Sequence, residues 1–239
     1  MKMKEIIEAV LLKNRTIVTT DFAEALSLIA QEIPLVVHRY PTGNEYGTWE
    51  VPPKWDVKTG VLSDGENVLA SYEDHPLFVV PYSAPFTGWV TREELIEHVS
   101  TKPEVPEEFF YEHRLSMDYQ RRLKEWRISL PYSLVMGLQQ PRYFVDIQVD
   151  VGPGELLVGE HTIEGANPYT FALLTHLDHT GQANDGLAGV SVGVEVMRRI
   201  RHEFSKCKYG YQLLVLPETI GSTIYLTAND DRIDSYLGA

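Results

Sequence analysis

One cysteine in 239 residues, Cys207, rules out an intrachain disulfide and any zinc site built from several thiolates. A metal would have to take His, Asp or Glu donors. Basic residues are scarce as well: 21 Lys and Arg against 34 Asp and Glu leave a formal net charge of −13, and no window concentrates the cations. Nucleic-acid backbones and anionic membrane surfaces both require a positive footprint, so neither is an expected partner. No run approaches the ~18 apolar residues of a membrane span. The opening MKMKEIIEAVLLKNRT has a short apolar segment interrupted by acids and no small-residue cleavage site, which predicts a cytoplasmic protein.

What is present is organised in three stretches. Apolar residues at helical spacing over 3–13 and 20–33, including Phe22, Leu26, Ile29 and Ile33, predict two helices, followed by a strand at LVVHRY (35–40). From Pro41 to Pro141 the composition changes: most of the prolines and all four tryptophans fall here, in pieces such as TWEVPPKW and FVVPYSAPFTGW. Short β-prone runs such as GVLSDGENVLASY alternate with loops, and TREELIEHV reads as a helix with Thr91 and Glu94 as a capping box. The stretch predicts a small, loop-rich, mostly β module whose aromatics fill its core.

After Tyr143 the pattern turns to strand, helix, strand, helix. YFVDIQVDV alternates, and GELLVGEHTIEG reads as a hairpin-like pair. TFALLTHL and YQLLVLPE are continuous apolar runs typical of strands covered on both faces. LAGVSVGVEVMRRIRHEF and IGSTIYL have helical character. Buried strands alternating with helices predict an α/β fold with a mainly parallel mixed sheet and flanking helices.

The chemistry-bearing residues collect where those strands end, which is where open α/β sheets place their sites. THLDHTGQAND closes the first apolar strand with His176, Asp178, His179 and Asp185, and PET closes the second with Glu218. Residues two apart on a strand share a side, so His176 and Asp178 are expected to project together. Imidazole and carboxylate donors suit zinc without thiolates, a further carboxylate can orient a ligand imidazole, and a free glutamate can take a proton from attacking water. The other histidines, at 38, 75, 98, 113, 161 and 202, lack such company and are expected to be structural.

HLDHTGQANDGLAGVSVGVEVMRRI resembles the HxD…GANDNASG segment of co-catalytic zinc aminopeptidases, and LLVLPETIGSTIYL resembles their strand ending in Glu-Glu-x-Gly. The match is closer to a branch of aminopeptidase-like domain proteins often associated with polysaccharide biosynthesis. Its P-T-G…W-x-V-P-x-x-W stretch is matched by PTGNEYGTWEVPPKW (41–55), and its P-E-T-I-G-S stands at 217–222. The resemblance implies a zinc-dependent hydrolase of amide bonds in a peptide or aminoacyl-type small substrate. It implies Asp185 as a metal ligand, Glu218 as general base and Asp178 as the residue orienting the ligand imidazole. His176 fits the broader family and His179 the closer branch, so both stay candidates for the histidine ligand. Thr219 replaces the second, metal-binding glutamate, and nothing in TANDDRIDSYLGA (227–239) matches the family's later ligands, so one ion is expected from these residues rather than two.

The branch also implies that 41–141 is a module inserted into a discontinuous domain formed by 1–40 and 142–239. The competing reading is a non-catalytic relative that binds a peptide or glycan precursor with an incomplete metal site. An exposed sheet edge would make a second copy of the chain a candidate partner.

Overall fold

A computed structural model describes residues 2–112 and 124–238; His113 lies outside the described residues. The chain divides into two compact units, Met1–Lys54 with Pro153–Ala239, and Trp55–Gly152.

The first unit is built on a five-stranded sheet in the order Val36–Pro41, Glu155–Ile163, Gly210–Leu216, Thr170–His176, Tyr236–Gly238. The sheet is mixed: its first two pairings are antiparallel, and Thr170–His176 runs parallel to both of its neighbours. Gly210–Leu216 is covered on both faces. Leu213 and Val215 pack with Phe22, Leu26, Val190 and Val194 on one side, while Leu214 and Leu216 pack with Ile220 and Ile224 on the other. Fully burying each such aliphatic side chain stabilises the fold by about 1.5–3 kcal/mol.

Local chemistry sets the helices that cover this sheet. Thr19 caps the Thr20–Ala30 helix by accepting the Phe22 N–H, and Phe22, Ala25, Leu26 and Ile29 form its buried stripe. Ala188–Glu203 buries Val190, Val194 and Met197, and Gly193 lets it approach closely: a Cβ there would lie 2.6 Å from Leu213 Cδ1. Among the described residues no helix is long and apolar enough to cross a membrane.

A polar cluster crosses this apolar interior. Glu160 is 8% exposed and accepts hydrogen bonds from His38 Nε2 at 2.7 Å, Tyr225 Oη at 2.7 Å, Thr162 Oγ1 at 2.9 Å and Gln212 Nε2 at 2.9 Å. Arg232 adds an ion pair at 3.1 Å, and Tyr236 donates to Gln212. Burial opposes ionisation of Glu160, but these hydrogen bonds and the Arg232 charge outweigh it and hold the carboxyl at about 2.

The second unit has a four-stranded sheet in the order Val68–Ser71, Lys54–Ser63, Arg142–Gly152, Phe86–Thr91, with a core that includes Trp55, Phe78, Tyr82 and Tyr143. Trp55 Nε1 donates to Ser83 O at 3.0 Å, and Thr91 caps Arg92–Glu97 by accepting from the Glu94 N–H.

The unit boundaries fall later than the composition shift at Pro41 and the pattern change after Pro141. Residues 41–54 stay with the first unit because Thr42 bonds Gly154 O and the Glu45–Tyr46 and Trp49–Glu50 hairpin packs Tyr46 and Trp49 into the Ile220–Tyr225 core. Arg142–Gly152 belongs to the second unit because it pairs antiparallel with Phe86–Thr91. Alternation identifies it as a strand but not the sheet it joins.

Candidate metal centre

Strand register assembles this site. His176 lies opposite Leu216, and the Leu177 N–H donates to Leu216 O at 2.9 Å, so the two strands end side by side and Glu218 emerges beside His176. Immediately after it, Thr219 has φ 60 and ψ −63, and the Ile220 N–H reaches Glu218 O at 2.6 Å. This is a γ-turn on a β-branched residue, a conformation costing on the order of 1–3 kcal/mol. It turns the chain sharply from the strand into the Ile220–Ala228 helix.

Asp185 arrives on a comparable turn within Ala183–Leu187. Gly186 follows it at φ +95, and a Cβ there would lie 2.7 Å from His176 O and 2.9 Å from its Cδ2. Glycine is therefore required twice over, by backbone conformation and by the imidazole against it.

The resulting geometry is a closed alternation of two imidazoles and two carboxylates. Asp185 Oδ1 is 3.0 Å from His176 Nε2, and its Oδ2 is 3.2 Å from His179 Nδ1. Glu218 Oε2 is 3.1 Å from His179 Nε2, and its Oε1 is 3.7 Å from His176 Nδ1. The rings are tilted by 46° with centroids 4.6 Å apart. His179 is 3% exposed, whereas Asp185 and Glu218 open onto a cavity of about 370 Å³ that Asn184, Thr219 and Ser222 also line.

These residues fit a zinc ion by donor type and spacing. One ligating atom each from His176, His179 and Glu218 lie within 4.8 Å of one another. Asp185 adds a second carboxylate beside the same rings, 3.0 Å from His176 through one oxygen and 3.2 Å from His179 through the other. A single ion uses one nitrogen of each imidazole. Asp185 and Glu218 face opposite nitrogens of both rings, so whichever carboxylate is left over is available for proton transfer.

Asp178 joins the two strand ends. Its Oδ1 accepts the Glu218 N–H at 2.8 Å, which fixes the backbone that presents the Glu218 side chain. Burial pushes its carboxyl up, partly offset by His179, the Glu218 N–H and His176.

One contributor was missed in the sequence. Arg15, 0% exposed, reaches from between the first two helices to donate from one nitrogen to Leu177 O at 2.5 Å and from another to His179 O at 2.5 Å. Its backbone N–H donates to Thr180 Oγ1 at 2.9 Å. It braces the turn that carries His179. A lone arginine in KNRT has no sequence signature for this. The remaining described histidines lie elsewhere: His38 on Glu160, His75 stacked on Phe109, His98 stacked on Trp126, His161 against Pro34, and His202 in the last turn of Ala188–Glu203.

Comparisons with known proteins agree with this architecture. A family model described as a domain of unknown function, DUF4910, matches residues 4–237. A Clostridium acetobutylicum protein, provisionally named for polysaccharide biosynthesis and an aminopeptidase-like domain, is 29% identical over 221 residues, 92% of this chain and 49% of its own length. The chain thus spans about half the length of that curated relative. A crystal structure of a provisionally named peptidase from the same organism superposes with a TM-score of 0.87 at 26% identity, covering 99% of this chain and 55% of that one. The fold also matches a peptidase M28 precursor from Shewanella amazonensis, with a TM-score of 0.61, 11% identity, and coverage of 99% of this chain and 69% of the other. BSAP, a zinc aminopeptidase from Bacillus subtilis, matches with a TM-score of 0.55 at 11% identity, covering 98% and 67%. The chain belongs to the DUF4910 domain family, and its fold is that of the aminopeptidase-like proteins.

Proposed function

We propose that this chain carries the metal-binding half of a zinc-dependent, aminopeptidase-like hydrolase that cleaves an amide bond in a peptide or aminoacyl-type small substrate. The observation that carries the reading is the placement of His176, His179, Asp185 and Glu218 as a contiguous donor set at two adjoining strand ends, open to a cavity. Asp185 with His179 or His176 would hold the ion, as the resemblance implies, while the three-donor spacing of Glu218 with the two rings makes Glu218 the alternative carboxylate ligand. When bound, zinc supplies Lewis acidity to the carbonyl and lowers the pKa of water. Glu218 takes the proton from the attacking water and returns it to the leaving amine. Asp178 and Arg15 are positioning residues, one holding the Glu218 backbone and the other the His179 turn. The name of the Clostridium relative supports a setting in polysaccharide biosynthesis.

Bound zinc and chelator-sensitive cleavage of aminoacyl reporter amides test this directly. Glu218→Gln is expected to keep zinc while activity falls by about 10²–10⁴. Asp185→Asn is expected to lose zinc. Loss of zinc in Glu218→Gln with retention in Asp185→Asn would exchange the two roles. Zinc-loaded protein as inactive as Glu218→Gln on every reporter would replace catalysis with precursor binding.

A further inference from the structure

Trp89 departs from the expectation that the second unit's aromatic residues fill its core. Trp55 and Trp126 are 1% and 7% exposed, whereas Trp89 is 47% exposed. It lies on Phe86–Thr91, the last strand of that sheet among the described residues. Pairing with Arg142–Gly152 sets Trp89 opposite Phe144, Thr87 opposite Asp146 and Thr91 opposite Arg142. Val90, Tyr143, Val145 and Ile147 alternate with these residues and are buried, so Thr87, Trp89, Phe144, Asp146 and Gln148 share the outer face.

Contacts on several sides hold the indole in place. The Phe144 ring lies 5.7 Å away at a tilt of 58°, and the Arg142 guanidinium sits over the indole at 5.9 Å. The Gly65 turn comes so near that a Cβ there would lie 2.8 Å from Trp89 Cη2. A row of polar groups stands one side-chain repeat along the strands, about 7 Å away. Asp146 Oδ1 accepts from Thr87 Oγ1 at 2.7 Å, and Gln148 Nε2 approaches Asp146 Oδ2 at 3.3 Å. A carboxylate has about four acceptor sites and an amide both donates and accepts, so this row can take further hydrogen bonds from outside.

A sugar ring has an apolar face of C–H groups and an edge of hydroxyls that donate and accept. Trp89 suits the face, and Asp146 with Gln148 suits the edge. Arg142 and Asp146 carry one charge of each sign, so an uncharged ligand fits this surface better than an ion of either sign. A purely apolar partner would leave Asp146 and Gln148 desolvated without compensation. We propose that this face binds a neutral, unbranched oligosaccharide, with one ring stacked on Trp89 and hydroxyls of the adjoining ring hydrogen-bonded to Asp146 and Gln148. Because the indole and the polar row are already fixed, little ordering is needed on binding.

The test is calorimetric titration of the full chain with cellotetraose, maltotetraose and N-acetylated chitotetraose. Saturable binding of at least one of them is expected, with a Kd of about 1 mM or tighter. Trp89→Ala is expected to weaken it about tenfold or more, and Asp146→Asn about tenfold. Trp89→Phe keeps a ring and is expected to retain more affinity than Trp89→Ala, with urea midpoints showing that each variant is folded. No saturable binding of any of the three at about 10 mM, affinity unchanged in Trp89→Ala or in Asp146→Asn, or equal losses in Trp89→Phe and Trp89→Ala would each overturn the proposal.

Discussion

Replacing Glu160 by glutamine tests whether the polar cluster beneath the sheet stabilises the first unit through its charge. The carboxylate accepts from His38, Tyr225, Thr162 and Gln212 and pairs with Arg232, which holds its pKa at about 2 against a usual 4.5. A pKa lowered by folding stabilises above the unfolded value, and the contribution is lost as pH falls through the folded one. At about 1.4 kcal/mol per pH unit, the displacement corresponds to roughly 3 kcal/mol of stability, present above pH about 4.5 and lost toward pH 2. In Glu160→Gln the amide sets an N–H against a ring of donors, so the loss at pH 7 should be about 3 kcal/mol. Urea denaturation of both proteins at neutral pH and at intervals down to about pH 3 measures it, and the difference between their curves should narrow steadily below pH about 4.5. A difference below about 1 kcal/mol at neutral pH, or parallel pH dependence in the two proteins, would refute the reasoning.

The site makes its own demands. Gly186→Ala forces a Cβ toward His176 O and ring at a positive φ, and should cost about 2–4 kcal/mol in urea denaturation while weakening zinc binding. Arg15→Met leaves the carbonyls of Leu177 and His179 without their charged donor. A stability loss of about 3 kcal/mol is expected, and an unchanged midpoint would remove its bracing role. Zinc at about 100 times its Kd should add ~2.7 kcal/mol to the wild-type chain, read as a rise in Tm. His176→Ala with His179→Ala should abolish that rise.

Proximity along the chain made part of the candidate site legible. His176, Asp178, His179 and Asp185 lie within ten residues at the end of an apolar strand, so a single turn suffices to gather them. Glu218 was reachable because its strand has the same apolar character and the same kind of ending. The identity of each imidazole's partner was not legible, since both rings touch both carboxylates. Asp178 projects from the same strand end, yet it bonds the Glu218 backbone, a contact that exists only once the strands are in register.

By itself the sequence determined the α/β class, the two helices ahead of the sheet, the doubly covered Gly210–Leu216 strand and the cluster of metal-capable groups at the strand ends, whereas Thr170–His176, equally apolar in sequence, leaves Phe171 and Leu174 exposed instead of covered on both faces. These follow from periodicity, capping and spacing, which act over a few residues. Tertiary structure alone decided the unit boundaries at 54 and 152, the partners of Glu160 and the burial of Arg15. Each depends on groups brought together from far along the chain. Pairing register and packing, not local pattern, choose which buried polar atom finds a partner.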